Sequence, residues 1–222
     1  NVVSSAVHEG SCFSNAHLRD TRFSGYKYRS QLVELIVDSV NTSEPFVYAY
    51  WDGVDRVAHE FGFTDRYFSE LTECDQMIAE LLQRLPSNVA LVVTADHGQV
   101  EVEDRMIGLT RDLNDLVSKQ SGEARFRWLH ALPGMEEDLI QASKETFENS
   151  AWVMSQKEIL EAGFLGPLVS GTVRGRLGDV ALLAREKIGF IDPAEKMPFE
   201  LITRHGSLTK EEMHVPLLSA VT

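Results

Sequence analysis
The segment "DRVAHEFG" sets Asp55 and His59 four residues apart, a spacing that places two side chains on one face of a helical turn. An acid and an imidazole so placed can share a metal ion, and the same spacing also makes an ordinary surface pair. Asp52, just upstream, is a candidate N-cap, which would make Asp55 a first-turn acid favoured by the helix dipole. In "VVTADHGQV" a run of β-branched and apolar residues stops at Asp96, His97 and Gly98. Adjacent side chains in a strand point to opposite faces, so Asp96 and His97 reach one ion only where the backbone leaves the sheet; Gly98 permits that departure. A turn capped by the acid, with the imidazole in solvent, is the competing reading. "RHGSLT" repeats the His-Gly pair at His205. Two His-Gly pairs, the first preceded by Asp96, and one Asp-x3-His, all at strand ends, give five oxygen and nitrogen donors suited to zinc-like ions.

The elements that must hold these donors alternate. Residues 30–41 have helical spacing in Leu32, Leu35, Ile36 and Val40, and "SEPFVYAYW" follows as a short strand after a proline break. Thr64 and Asp65 start a second helix whose Phe68, Leu71, Ile78, Leu81, Leu82 and Leu85 form an apolar stripe ended by Pro86. Asp75, on that stripe, is expected to make a buried hydrogen bond or helix contact. The strand 89–94 comes next, and its run from Leu91 to Thr94 fits a strand covered on both faces. Helix, strand, helix, strand predicts an α/β fold with a mostly parallel sheet flanked by helices. Beyond about residue 110 the texture changes: "ARFRWLHAL" alternates like a half-exposed strand, "MEEDLIQASKETFENS" is an amphipathic helix and "GDVALLAR" is another strand. We therefore expect residues 1–110 and 195–222, with a last strand over 216–221, to form the metal-binding core, and 111–194 to form an inserted α+β subdomain.

The chain has 222 residues, 43% of them apolar, enough for a sizeable core. Its net charge of −13 disfavours a nucleic-acid partner, because such binding relies on Lys and Arg displacing counterions from phosphates. A small anionic substrate stays open if metal supplies the positive charge. Cys12 and Cys74 are too few to frame disulfides, which fits a reduced compartment. No stretch approaches the roughly 20 apolar residues of a membrane span. "NVVSSAVHEG" carries no signal-like core; opening without Met, it reads as part of a longer protein. His8, His17 and His130 match no metal motif, and His214 reads as a helix-end residue.

"YWDGVDRVAHEFG", "VVTADHGQV" and "HGSLTKEEMHVPLL" resemble the alkaline phosphatase superfamily, most closely its type I phosphodiesterase/nucleotide pyrophosphatase branch, and "GEARFRWLHAL", "GFLGP" and "RLGDVALLA" resemble its bacterial members. The resemblance implies an alkaline-phosphatase-like sheet and a two-zinc centre. Asp55, His59 and His205 would hold one ion, and Asp96 with His97 would help hold the other. The family pattern also has an N-terminal half with a further aspartate ligand and a Thr or Ser nucleophile, which has no match here; neither Ser11 nor Ser14 is assigned that role. Ala58 stands where many relatives have Gly before the His. The implied activity is metal-dependent hydrolysis of phosphodiester or pyrophosphate bonds in a small phosphate ester or nucleotide, through a covalent phospho-enzyme. This chain alone, parted from the missing half, would have little turnover. A phosphomonoesterase, sulfatase or phosphotransferase of the same superfamily is the alternative enzyme, and a non-catalytic module stabilised by metal the alternative class.

Overall fold
Leu32, Val33, Ile36 and Val37 recur at helical spacing, and in the computed structural model they bury one face of a helix against a short parallel sheet. The structure describes residues 1–42, 44–102, 104–195 and 200–222; positions 43, 103 and 196–199 of the expected core lie outside them. In chain order the elements are β1 (Val2–Ser5), α1 (Cys12–His17), β2 (Phe23–Tyr26), α2 (Arg29–Asn41), β3 (Tyr48–Ala49), α3 (Gly53–Phe61), α4 (Asp65–Arg84) and β4 (Ala90–Thr94). They continue with β5 (Val100–Glu101), β6 (Met106–Ile107), α5 (Arg111–Asn114), β7 (Val117–Glu123), β8 (Phe126–Ala131), α6 (Glu136–Phe147), β9 (Ala151–Ser155), α7 (Gln156–Glu161), α8 (Gly171–Arg174), β10 (Val180–Ala184), β11 (Gly189–Phe190), β12 (Thr203–Arg204), α9 (Lys210–Met213) and β13 (Leu217–Val221). No helix among the described residues is long and apolar enough to cross a membrane.

Two compact units result, 1–94 with 216–222 and 95–215. In the first, β1 lies between β2 and β3 with both pairings parallel, as the strand and helix order predicts. Val3 of β1 joins α2 and the Met77, Leu81 and Leu85 side of α4 in one core. The stripe expected on α4 is only partly right: Met77 is buried, whereas Phe68 is 57% exposed and Asp75 is exposed, because the contact with α2 uses the C-terminal half of the helix. A second difference concerns β4. It pairs antiparallel with β13 as a two-stranded ribbon, and Val92 is 59% exposed rather than covered on both faces.

The second unit is built on the antiparallel sheet β7-β8-β10-β9, with α6 packed on it through Leu139 and Phe147. It extends past the 111–194 segment at both ends because β6 pairs with β11 and β5 with β12. β8 departs from its expected half-exposed character. Arg125 just before it and Arg127 within it are both fully buried, held by carboxylates and main-chain carbonyls. A buried arginine is tolerated when its donors are engaged, as those of Arg125 are; Arg127 is held through its two terminal nitrogens, its buried Nε having no hydrogen-bond partner among the described residues.

Leu182, at the centre of β10, is fully buried with Leu129, Leu139 and Phe190. Leu182→Ala should cost about 2–5 kcal/mol in urea unfolding; a loss below about 1 kcal/mol would contradict this packing.

Candidate metal centre
The Asp55–His59 half of the donor set sits on α3 in the first unit. β3 delivers the chain to Gly53, where a side chain is excluded: a Cβ would strike Glu70 and the Trp51 indole, which are themselves hydrogen-bonded, Trp51 Nε1 donating to Glu70 Oε1 at 2.8 Å. Asp52 occupies the N-cap position without capping, its side chain lying 3.7 Å from His8 Nε2 instead. Asp55 falls in the first turn, where the helix dipole favours an acid, and His59 in the last, and His59 Nε2 comes within 3.4 Å of Asp55 Oδ1. Ala58 is 1% exposed, so the residue before the His is packed inward and its small size suits that contact. Gly62, at φ +66°, ends the helix.

The other three donors lie in the second unit. The chain leaves β4 at Thr94, and Asp96, His97 and Gly98 form the loop into β5. The β5–β12 ladder sets Thr203 opposite Glu101 and Arg204 opposite Val100. This register carries His205, next after β12, back beside His97: the two imidazoles stack with ring centroids 3.5 Å apart and planes 14° from parallel. Thr203 Oγ1 donates to Gln99 Oε1 across the same ladder. His97 Nδ1 is 3.0 Å from the Gly98 carbonyl oxygen. A carbonyl only accepts, so that bond places the proton on Nδ1 and leaves the Nε2 lone pair to face an ion. Asp96 is the most open of the set; its Oδ1 takes the His97 amide at 3.2 Å and lies 3.7 Å from His97 Nε2. The donor chemistry therefore fits a divalent ion of the zinc type, with neutral imidazole nitrogen and carboxylate oxygen in each half. His17 and His130 are engaged elsewhere, with the Phe13 carbonyl and the Ser121 hydroxyl, and burial pushes the His130 imidazole down from its ordinary value. His214 is the C-cap of α9.

Sequence reasoning missed the group behind this loop pair. Glu212 is 2% exposed and Arg125 fully buried, and they form a bidentate pair: Arg125 Nε donates to Oε1 at 2.8 Å and an Arg125 terminal nitrogen to Oε2 at 2.7 Å. Oε1 also accepts the Ser207 amide at 2.9 Å and Oε2 the Thr209 hydroxyl at 2.6 Å. The available signal was "TKEE", the T-x-x-E pattern of a helix start, though here the hydroxyl bonds the carboxylate rather than a main-chain amide. Burial pushes the Glu212 carboxyl up, but the bonds from Arg125, Thr209 and Ser207, with the Arg125 charge, outweigh it and hold the carboxyl below its ordinary value of 4.5. A lowered folded value means that this stabilisation is complete above that ordinary value and is lost as pH falls through the lowered one. Unfolding followed by tryptophan fluorescence should therefore show stability dropping below about pH 4.5. Glu212→Gln should cost about 3–5 kcal/mol at neutral pH, because it leaves the Arg125 charge buried and unpaired, and should show a shallower acid slope than the parent.

Solved structures with this fold include murine ectonucleotide pyrophosphatase/phosphodiesterase 5, in an inactive T72A form with AMP, at TM-score 0.72 and 17% identity over 98% of this chain and 59% of that one. The human ectonucleotide pyrophosphatase/phosphodiesterase 5 matches at TM-score 0.70 and 14% identity over 99% and 59%. Phosphonoacetate hydrolase from Sinorhizobium meliloti 1021, in complex with phosphonoformate, matches at TM-score 0.64 and 18% identity over 86% and 49%. The chain thus spans 59% of the length of the first two. No curated protein matches it in sequence. The family model described as type I phosphodiesterase / nucleotide pyrophosphatase matches residues 15–206. With the α/β architecture and the His-Gly loops in place, the chain belongs to the type I phosphodiesterase / nucleotide pyrophosphatase family.

Proposed function
We propose that the intact protein hydrolyses phosphodiester or pyrophosphate bonds of a small phosphate ester or nucleotide, using two divalent ions, zinc in the first instance. Asp55, His59 and His205 would hold one ion; Asp96 and His97 would help hold the other. The attacking Thr or Ser, and a further aspartate ligand, would come from a segment of the family domain outside these 222 residues, with 1–110 and 195–222 as the catalytic core and 111–194 as its insertion. The observation that carries this reading is the His97–His205 pair, stacked at 3.5 Å with His97 Nδ1 turned to the Gly98 carbonyl.

Two ions, when bound, supply charge neutralisation for the phosphoryl oxygens and a clamp on the attacking and leaving oxygens of an in-line displacement. The chain's own residues do the rest of the ordering. His97 presents Nε2 because Nδ1 is committed to a carbonyl, and Asp55 and His59 come to one face of α3 through their four-residue spacing. The net charge of −13 is compatible with an anionic substrate on this reading, since the attraction is local to the ions.

Zinc content and affinity decide the matter. The 222-residue chain should hold zinc, with affinity reduced at least about 10-fold in His59→Ala and in His97→Ala. A longer polypeptide that includes the nucleophile segment should hydrolyse bis(p-nitrophenyl) phosphate faster than p-nitrophenyl phosphate. Absence of bound zinc in both polypeptides, or a monoester preference in the longer one, would overturn the corresponding part of the reading.

A further inference from the structure
We propose that Glu212 is the positioning residue of the His97–His205 pair, a single side chain and its own main-chain carbonyl together fixing both loops that carry the imidazoles. Its relevance to metal binding rests on the reading above; its effect on the geometry of the two rings does not.

The connections run in both directions from one residue. The carboxylate takes the Ser207 amide and the Thr209 hydroxyl, so it ties down the turn that begins at His205. Its main-chain oxygen accepts from the Gly98 amide at 2.8 Å, so it also ties down the residue that follows His97. Gly98 is needed for that approach, since a Cβ there would run into the Glu211 carbonyl oxygen. The carboxylate is in turn immobilised from behind. Arg125 grips both of its oxygens and spends its remaining donors on the carbonyls of Ala184, Glu186 and Ile188, at 3.4, 2.7 and 2.7 Å. The first belongs to the end of β10 in the buried sheet, the other two to the connection leading to β11. The path from backbone to imidazole is therefore short: carbonyls, Arg125, Glu212, then two bonds to the His205 loop and one to the His97 loop.

A carboxylate that served core stability alone would need only its partner charge. This one spends its other contacts on the loop that begins at His205, while the main-chain oxygen of the same residue holds the loop of His97, and the two rings stack at 3.5 Å. Ligand constellations tolerate misplacement of only about 0.5 Å, so supports of this kind are felt at the site itself. Surrounding groups of that sort typically change metal affinity by about 10- to 100-fold when removed.

The test compares Glu212→Gln, Thr209→Val and the conservative Thr209→Ser in the full 222-residue chain, by NMR of the His97 and His205 ring protons without metal and by titration with Co2+ alone. In the parent the stacked rings should shift each other's signals upfield. In Glu212→Gln and Thr209→Val those signals should move toward free-histidine positions while the methyl signals of Leu139 and Leu182, in the same unit's core, stay in place. Thr209→Ser should restore the parent pattern. Co2+ affinity should fall about 10-fold or more in the first two variants and recover in the third. Unmoved ring signals in folded Thr209→Val and Glu212→Gln would overturn the proposal; should Glu212→Gln not fold, Thr209→Val decides it. Ring signals that move as expected in a chain that binds no Co2+ would uphold the positioning role and count against the metal reading instead.

Discussion
The buried ion pair of Arg125 and Glu212 is the constraint on which the arrangement of the second unit's histidine loops depends. Taking two charges out of water costs several kcal/mol for each, and mutual attraction offsets that only with good geometry and satisfied remaining donors and acceptors. Both conditions are met here: the contact is bidentate, three carbonyls take the other guanidinium donors, and an amide and a hydroxyl occupy the other carboxylate sites. The pair then does what a hydrophobic replacement of equal volume would not. It fixes directions as well as volume: the carboxylate sets the loop after His205, and holding Glu212 in place also holds the main-chain oxygen that takes the Gly98 amide.

A division of labour between ladder and pair follows. The β5–β12 register determines which residues face each other, and it brings His205 beside His97. Two residues of strand on each side are too short a ribbon to hold its own ends in place. The loops beyond the ribbon need an outside anchor, and Glu212 reaches both. In the first unit no such anchor is required, because Asp55 and His59 share a helix and the helix sets their spacing.

How much of this was legible in the sequence depended on the range of the interaction that decides each position. Asp55 and His59 could be paired from spacing alone, and the helices over 29–41 and 65–84 from apolar periodicity and a proline stop. His97 and His205 are 108 positions apart, and in the sequence they are joined only by their shared His-Gly pattern and by the resemblance of their motifs to a family; the ladder is what stacks them. Arg125 and Glu212 left little trace: charged residues are read as solvent-facing by default, and the partner that makes burial tolerable lies 87 positions away. The exposure of β4 escaped for a related reason. An apolar run looks the same whether its faces are covered or not, and burial is decided by neighbours that the strand's own residues do not name.

On the proposed reading an acidic chain takes an anionic substrate, and the charge balance allows it. Each donor group contains carboxylates, and a carboxylate near a phosphate is repulsive unless a cation stands between them. Imidazoles alone would bind an ion with less neutralisation, leaving more positive charge to hold product after cleavage. Mixed Asp and His ligation, as proposed, would lower the net charge of each ion-ligand group while leaving the ion's field directed at its open side. The negative balance of the rest of the chain then works over longer distances, where salt screens it within about 8 Å at physiological ionic strength. Local attraction and global repulsion act on different length scales, so the sign of the whole molecule does not predict the sign of the ligand its centre takes.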